Sequence, residues 1–152
     1  MLLRLYSFLL IAITLAACKK EEYLFEKIPA ARSGVHFNNQ LNPNKEFNAF
    51  TFTNFYNGGG VGIGDFNHDG LPDLFFTGNQ VSSALYLNKG NFQFEDITEK
   101  AGVATNRWCS GVCVVDINQD GWDDIYISVA KASGLKDSHN LLFINQKTDI
   151  PT

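Results

Sequence analysis

Residues 61–76 read VGIGDFNHDGLPDLFF, and residues 112–127 repeat that pattern as VCVVDINQDGWDDIYI, so that residue 65 corresponds to residue 116. Further along, ALYLN at 84–88 matches LLFIN at 141–145, which places a short insertion near 133–139. Each copy has β-branched and aromatic runs on both sides of an Asp- and Gly-rich turn, as expected of short strands. A repeat of about 50 residues made of short strands predicts an all-β protein built from β-propeller blades.

The spacing of apolar runs and turns predicts seven strands in these two units. They are expected at 60–64, 73–77, 83–88, 92–95, 110–115, 124–129 and 140–145, with one helical turn at Ile97–Ala101. A propeller closes only with four or more blades, and this chain holds about two. We therefore expect residues 47–152 to be repeats truncated at the C-terminus, in the N-terminal piece of a longer protein.

The segment before the repeats is less regular. Residues 18–46 are polar and rich in Asn, and we expect a tether followed by irregular segments or a first strand around Gly34–Asn38. From Phe47 to Phe55 the aromatic residues recur in a way that predicts short β-type runs. The glycines from Gly58 to Gly64 do not have nucleotide-loop spacing, and we expect a tight turn and a strand packed close to its neighbour.

The N-terminus has the features of an export signal. Arg4 precedes thirteen uncharged residues, too few to span a bilayer, so residues 1–17 are predicted to be a signal peptide. The sequence LAAC at residues 15–18 resembles a bacterial lipobox, which makes Cys18 the expected lipidated residue; an ordinary secretory signal is the alternative. Residues 19–22, KKEE, resemble the surface-export signal of Bacteroidetes lipoproteins or form a solvated linker. We expect a lipid-anchored, surface-exposed protein of the bacterial outer membrane.

Composition excludes several classes of protein. With 45% hydrophobic and 18% charged residues, the chain is too apolar to be disordered. A net charge of −4 argues against nucleic-acid binding. Three cysteines do not form a disulfide scaffold. Cys109 and Cys113 would face the same side of one strand, too far apart for a disulfide, and we expect both to be small buried side chains.

Both repeats contain the loop Asp-x-Asn-x-Asp-Gly-x-x-Asp, whose spacing suits a hard divalent cation. Ca²⁺ takes six to eight oxygen ligands, and alternate residues of a tight loop point to one side. The predicted ligands are Asp65, Asn67, Asp69, the carbonyl of Leu71 and Asp73 in the first loop, and Asp116, Asn118, Asp120, the carbonyl of Trp122 and Asp124 in the second. An EF-hand is excluded because its twelfth position requires Glu, and Phe76 and Ile127 stand there. The alternative is a pair of Asp- and Asn-rich turns without metal.

These loops and their flanking strands resemble FG-GAP/VCBS repeats, the calcium-bearing blades of integrin-α-type propellers. Residues 57–65 and 94–103 resemble bacterial members of the cartilage acidic protein–like group, many of which end in an ASPIC/UnbV domain. The resemblance covers about residues 25–150. It implies a seven-bladed propeller with Ca²⁺ at each intact loop, and it implies no particular ligand.

No nucleophile–base pair or other catalytic set stands in a supporting context, so we expect no enzymatic activity. His36, His68 and His139 stand alone, and Trp108 and Trp122 are expected in core or inter-blade packing rather than as surface anchors. We expect a calcium-binding, surface-anchored repeat module that binds a protein or a glycan. Three alternatives remain: an enzyme, such as a glycan-processing one, with the propeller as its scaffold; a non-catalytic scaffold within a larger glycan-processing or ASPIC/UnbV-containing protein; and a purely structural set of blades.

Overall fold

A computed structural model describes residues 23–131 and 138–148. The predicted signal peptide, Cys18 and most of the predicted insertion lie outside these residues. A one-turn helix, α1 (Ala30–Ser33), precedes seven strands: β1 (Val61–Gly64), β2 (Asp73–Phe76), β3 (Ala84–Asn88), β4 (Phe94–Asp96), β5 (Cys109–Val115), β6 (Asp124–Val129) and β7 (Leu141–Phe143). In the described part of the chain, no helix has the length and apolar character needed to cross a bilayer.

The strands form two antiparallel sheets, one for each repeat. The first sheet has the order β1-β2-β3-β4, and the second has the order β5-β6-β7. All seven predicted strands are present within two residues of their expected ends, so the all-β prediction is confirmed. The predicted helical turn is also present, because the Ala101 N–H donates to the Ile97 carbonyl oxygen at 2.8 Å.

The core lies between the two sheets. Its buried members come from both repeats and from the turn after β4: Phe66, Phe75, Leu85, Leu87, Ile97, Val103, Cys109, Ile125, Ile127 and Val129. At the centre of the contact, Gly62 and Gly64 of β1 face Val112 and Val114 of β5. A Cβ atom on Gly62 would lie 2.8 Å from Val114 Cγ2, well inside van der Waals contact. The glycines therefore allow close strand packing, as predicted.

The two sheets pack through unlike faces. Val112 and Val114 occupy the repeat positions of Val61 and Ile63, yet the latter two are 57% and 63% exposed. The second sheet packs through the face that carries Val112 and Val114. The corresponding face of the first sheet, which carries Val61 and Ile63, is open, and the first sheet makes the contact through its other face. The open face of the first sheet is partly covered by Phe37, whose ring stacks on Phe76 with centroids 5.0 Å apart.

The N-terminal segment follows the irregular alternative and has no strand at Gly34–Asn38. The prediction of β-type runs from Phe47 to Phe55 is wrong, because local asparagine hydrogen bonds favour turns there. Asn44 Oδ1 accepts the N–H of Phe47 at 2.7 Å, and Asn48 Oδ1 accepts the N–H of Phe50 at 2.8 Å. The aromatic residues instead form a second cluster, in which Phe47, Phe52 and Phe55 surround the buried Trp108.

The two cysteines of β5 do not share an environment. Cys109 is fully buried and Cys113 is exposed, so the prediction that both are buried is wrong for Cys113. The register between β5 and β6 shifts between Cys109 and Gly111. Such an irregularity adds one residue to the strand and reverses the alternation of side chains beyond it.

Candidate metal loops

The two Asp-rich loops lie at the same end of neighbouring sheets. The first joins β1 to β2, the second joins β5 to β6, and β1 packs against β5. Their backbones follow the same path: Gly70 and Gly121 have φ of 82° and 89°, while His68 and Gln119 have φ of 57° and 60°. The sequence repeat is therefore also a conformational repeat at these turns.

The first Asp of each loop binds backbone N–H groups across the turn. Asp65 accepts the N–H of Asp69 at 3.0 Å and that of Gly70 at 2.9 Å. Asp116 accepts the corresponding N–H groups of Asp120 and Gly121 at 2.9 and 2.8 Å. These bonds hold the loop closed around its first carboxylate.

The middle residues of each loop contact one another directly. Asn67 Nδ2 donates to Asp69 Oδ2 at 2.9 Å, and Asn118 Nδ2 donates to Asp120 Oδ2 at the same distance. Asp69 Oδ1 also accepts the N–H of Leu71 at 2.8 Å. In each loop, the Asn and the second Asp are therefore in direct contact.

The last Asp of each loop is buried and joins the loop to its sheet. Asp73 accepts the N–H of Phe66 at 2.9 Å and that of Asn88, the last residue of β3, at 2.8 Å. Asp124 makes the same two bonds with Ile117 and Asn145. Both oxygens of each carboxylate are therefore engaged by the backbone, and these two residues have a structural role in addition to their predicted one.

Burial raises the pKa of Asp73 from 3.8 to about 6. The N–H groups of Asn88 and Phe66 act in the opposite direction, and the nearby carboxylates of Asp69 and Asp65 raise the pKa further. Three acids thus lie close enough to repel one another. A bound cation would relieve that repulsion.

The donor set of the loops fits a hard cation by its chemistry. Within residues 23–131 and 138–148, no three His, Cys, Asp or Glu side chains already have the mutual placement of a metal site. The carboxylate of Asp65 accepts two N–H bonds, and an ionised carboxylate has about four acceptor sites. Lone pairs therefore remain for a cation, and every side-chain donor is an oxygen, as Ca²⁺ requires.

The two loops also contact each other. The Asp65 N–H donates to Asp123 Oδ2 at 3.1 Å, and Asn145 Nδ2 donates to the Phe66 carbonyl oxygen at 2.9 Å. The rings of His68 and Trp122 stack with centroids 3.9 Å apart and an interplanar angle of 1°. The prediction of packing roles for Trp108 and Trp122 is confirmed, since Trp122 bridges the repeats and Trp108 is in the core.

Sequence reasoning missed Asp123, Asn145 and the partner of His68. Asn145 had a signal, because it corresponds to Asn88 at the end of the matched strand. Asp123 had none, because its counterpart in the first repeat is Pro72. A contact between repeats depends on how the sheets stack, which the pattern within one repeat does not specify.

The repeats resemble known proteins in sequence. Residues 65–127 match the family described as FG-GAP-like repeat. The chain is 30% identical over 88 residues to integrin alpha pat-2 of Caenorhabditis elegans, an alignment that covers 55% of this chain and 7% of that protein. No solved structure matches the chain.

Proposed function

We propose that this chain, which carries FG-GAP-like repeats, is a calcium-binding module that binds a protein or a glycan at a bacterial surface. The observation that supports the calcium sites is the duplicated loop, in which two distant segments adopt the same turn with the same hydrogen bonds. In the first loop, Asp65, Asn67, Asp69 and Asp73 would hold the ion with the Leu71 carbonyl. In the second, the ligands would be Asp116, Asn118, Asp120, Asp124 and the Trp122 carbonyl.

The role of the ion follows from the charges in each loop. When bound, Ca²⁺ supplies positive charge to three carboxylates that otherwise repel one another. Asp73 joins its loop to the end of β3 through the Asn88 N–H, so a more rigid loop stabilises that end of the strand. Contacts through Asp123 and Trp122 extend this effect to the neighbouring repeat. The module is thus a non-enzymatic platform whose loops are stiffened by calcium.

The location rests on the N-terminal sequence. Acylation at Cys18 would anchor the mature chain to the outer membrane, since several acyl chains together give stable attachment. Residues 18–46 would then separate the lipid from the repeats. A role as a non-catalytic scaffold in a larger glycan-processing or ASPIC/UnbV-containing protein is the alternative.

Calorimetry and thermal melts with and without Ca²⁺ test this function. The substitutions Asp69→Ala and Asp120→Ala should each remove one site, and the double variant should remove both. With an extracellular-type Kd on the order of 10⁻⁴ to 10⁻³ M, Ca²⁺ at ten times Kd stabilises the fold by about 1.4 kcal/mol per site. Glu99→Ala, an exposed acid outside the loops, is the matched control. An undiminished calcium shift in the double variant would show that the loops are only turns.

A further inference from the structure

The turn after the third strand of each repeat places Gly90 and Lys147 at equivalent positions. The Gly90 N–H donates to Asn88 Oδ1 at 2.9 Å, and the Lys147 N–H donates to Asn145 Oδ1 at 3.0 Å. Both residues have a left-handed backbone, with φ of 79° at Gly90 and 57° at Lys147. The second repeat therefore has a lysine where the first has the residue that this conformation favours.

The side chain of Lys147 reaches the second Asp-rich loop. Its Nζ lies 3.2 Å from Asp120 Oδ2, and the two side chains are 44% and 22% exposed. Asp120 is the fifth residue of the loop, and its counterpart is Asp69. Among the residues that the structure describes, no basic side chain pairs with Asp69. The two loops thus share the same backbone but differ in two charges: the second has the Lys147 ammonium beside Asp120, and it has the Asp123 carboxylate where the first has Pro72.

The ion pair with Asp120 favours Lys147 at this position electrostatically, whereas its backbone conformation does not. A side chain in the left-handed region is disfavoured, and lysine lacks the local hydrogen bonds by which asparagine compensates. Lys147 Nζ nevertheless lies beside Asp120 Oδ2, the same oxygen that accepts from the Asn118 amide. The ammonium therefore offsets part of the negative charge that the second loop would offer to a metal.

We propose that Lys147 is a tethered cation that competes with calcium for Asp120, so that the second loop binds Ca²⁺ more weakly than it would without this lysine. This inference rests on the proposed function, in which both loops bind calcium. Calcium binding at Asp120 breaks the ion pair or leaves an ammonium beside a dication. An exposed ion pair changes an equilibrium constant by up to about fivefold. We expect removal of the Lys147 ammonium to lower the Kd of the second loop by up to about that factor.

The experiment isolates each loop in the full 152-residue chain. Asp69→Ala leaves the second loop, Asp120→Ala leaves the first, and calorimetry with CaCl₂ gives the Kd of each. Into the Asp69→Ala chain we place Lys147→Gly, which copies the first repeat, and Lys147→Asn, which keeps a residue tolerant of positive φ without the charge. Into the Asp120→Ala chain we place Gly90→Lys, the reciprocal change.

The expected result is a Kd about fivefold lower for the second loop with Lys147→Gly or Lys147→Asn, and a higher Kd for the first loop with Gly90→Lys. The difference in Kd between the chains with and without the lysine should become smaller in concentrated NaCl, because salt screens exposed charges. Calcium-free melts check that each variant folds. An unchanged Kd in both Lys147 variants overturns this inference and leaves the proposed function intact. Absence of calcium binding in every folded chain overturns both.

Discussion

Gly62→Ala tests the packing of the two sheets most directly. Gly62 is buried on β1, and a Cβ atom there would lie 2.8 Å from Val114 Cγ2 and 3.3 Å from Val112 Cγ2. Carbon atoms pack best at about 3.5–4.0 Å, so β1 and β5 must separate or Val114 must leave its rotamer. The clash involves two branched side chains on the facing strand, and neither is the free end of a flexible chain.

The magnitude follows from two opposing effects. Overpacking of this kind costs about 1–3 kcal/mol. Alanine in place of glycine within a strand returns about 0.5–1 kcal/mol, because glycine loses more conformational entropy on folding. We therefore expect Gly62→Ala to lower the free energy of unfolding by about 1–2 kcal/mol. For a chain of 152 residues, that lowers Tm by about 2–8 °C.

Urea unfolding followed by circular dichroism measures the effect. Gly111→Ala on β5 is the matched control, since a Cβ atom there meets only Ser128 Cβ at 4.0 Å, which is ordinary contact. Combining Gly62→Ala with Val114→Ala removes the clashing methyl groups. The double variant should be more stable than the sum of the single effects predicts, by about 1 kcal/mol. Equal stability of Gly62→Ala and Gly111→Ala, or strict additivity in the double variant, would refute the reasoning.

Other perturbations test the remaining parts of the molecule. Because the pKa of Asp73 is raised from 3.8 to about 6, the folded chain binds a proton more tightly than the unfolded chain. In EDTA, the contribution of protonated Asp73 to the free energy of unfolding is therefore full below pH 3.8. It is lost as the pH rises to about 6, and the total loss is ~3 kcal/mol. Asp73→Asn should flatten this part of the pH profile measured by urea unfolding. Phe55 is fully buried, and Phe55→Ala should cost about 3–5 kcal/mol in the same assay. Metabolic labelling with a palmitate analogue should tag the wild type and leave Cys18→Ser unlabelled, and equal labelling of the two would contradict lipid anchoring.

The repeat made the sheets predictable because it combines two independent signals. Alternating apolar residues on either side of Asp65 and Asp116 specify strands, and the glycine at the sixth loop position specifies where the chain turns back. The metal ligands that this spacing predicts stay a prediction; the contacts found at the turn itself, such as those of Asp65 with Asp69 and Gly70, join residues at most five positions apart. Local patterns of this kind are sufficient to position such groups.

Contacts between distant segments were less accessible from the sequence. The aromatic residues at 47–55 recur every two or three positions and predicted short strands, but Asn44 and Asn48 favour turns, and Phe47, Phe52 and Phe55 pack against Trp108. The irregularity near Gly111 leaves Cys113 exposed, and Gly111 itself was the available signal, because an isolated glycine inside a strand often marks a bulge. Asp123 contacts Asp65 only because the sheets stack with their loops side by side. The turns at 44–50 thus follow a local preference that outweighs the apolar spacing, whereas the contact of Asp123 depends on tertiary packing.

The packing of unlike sheet faces affects how such a protein can change its length in evolution. A contact of this type has no two-fold symmetry, and its two halves lie on opposite sides of the same unit. Tandem duplication of one whole unit therefore delivers both halves of a new contact at once. Duplication of half a unit would pair faces that do not fit. Gly62 and Gly64 of the first unit correspond to Cys113 and Val115 of the second. Side chains at these two positions therefore have to change after a duplication, so that each copy fits its neighbour.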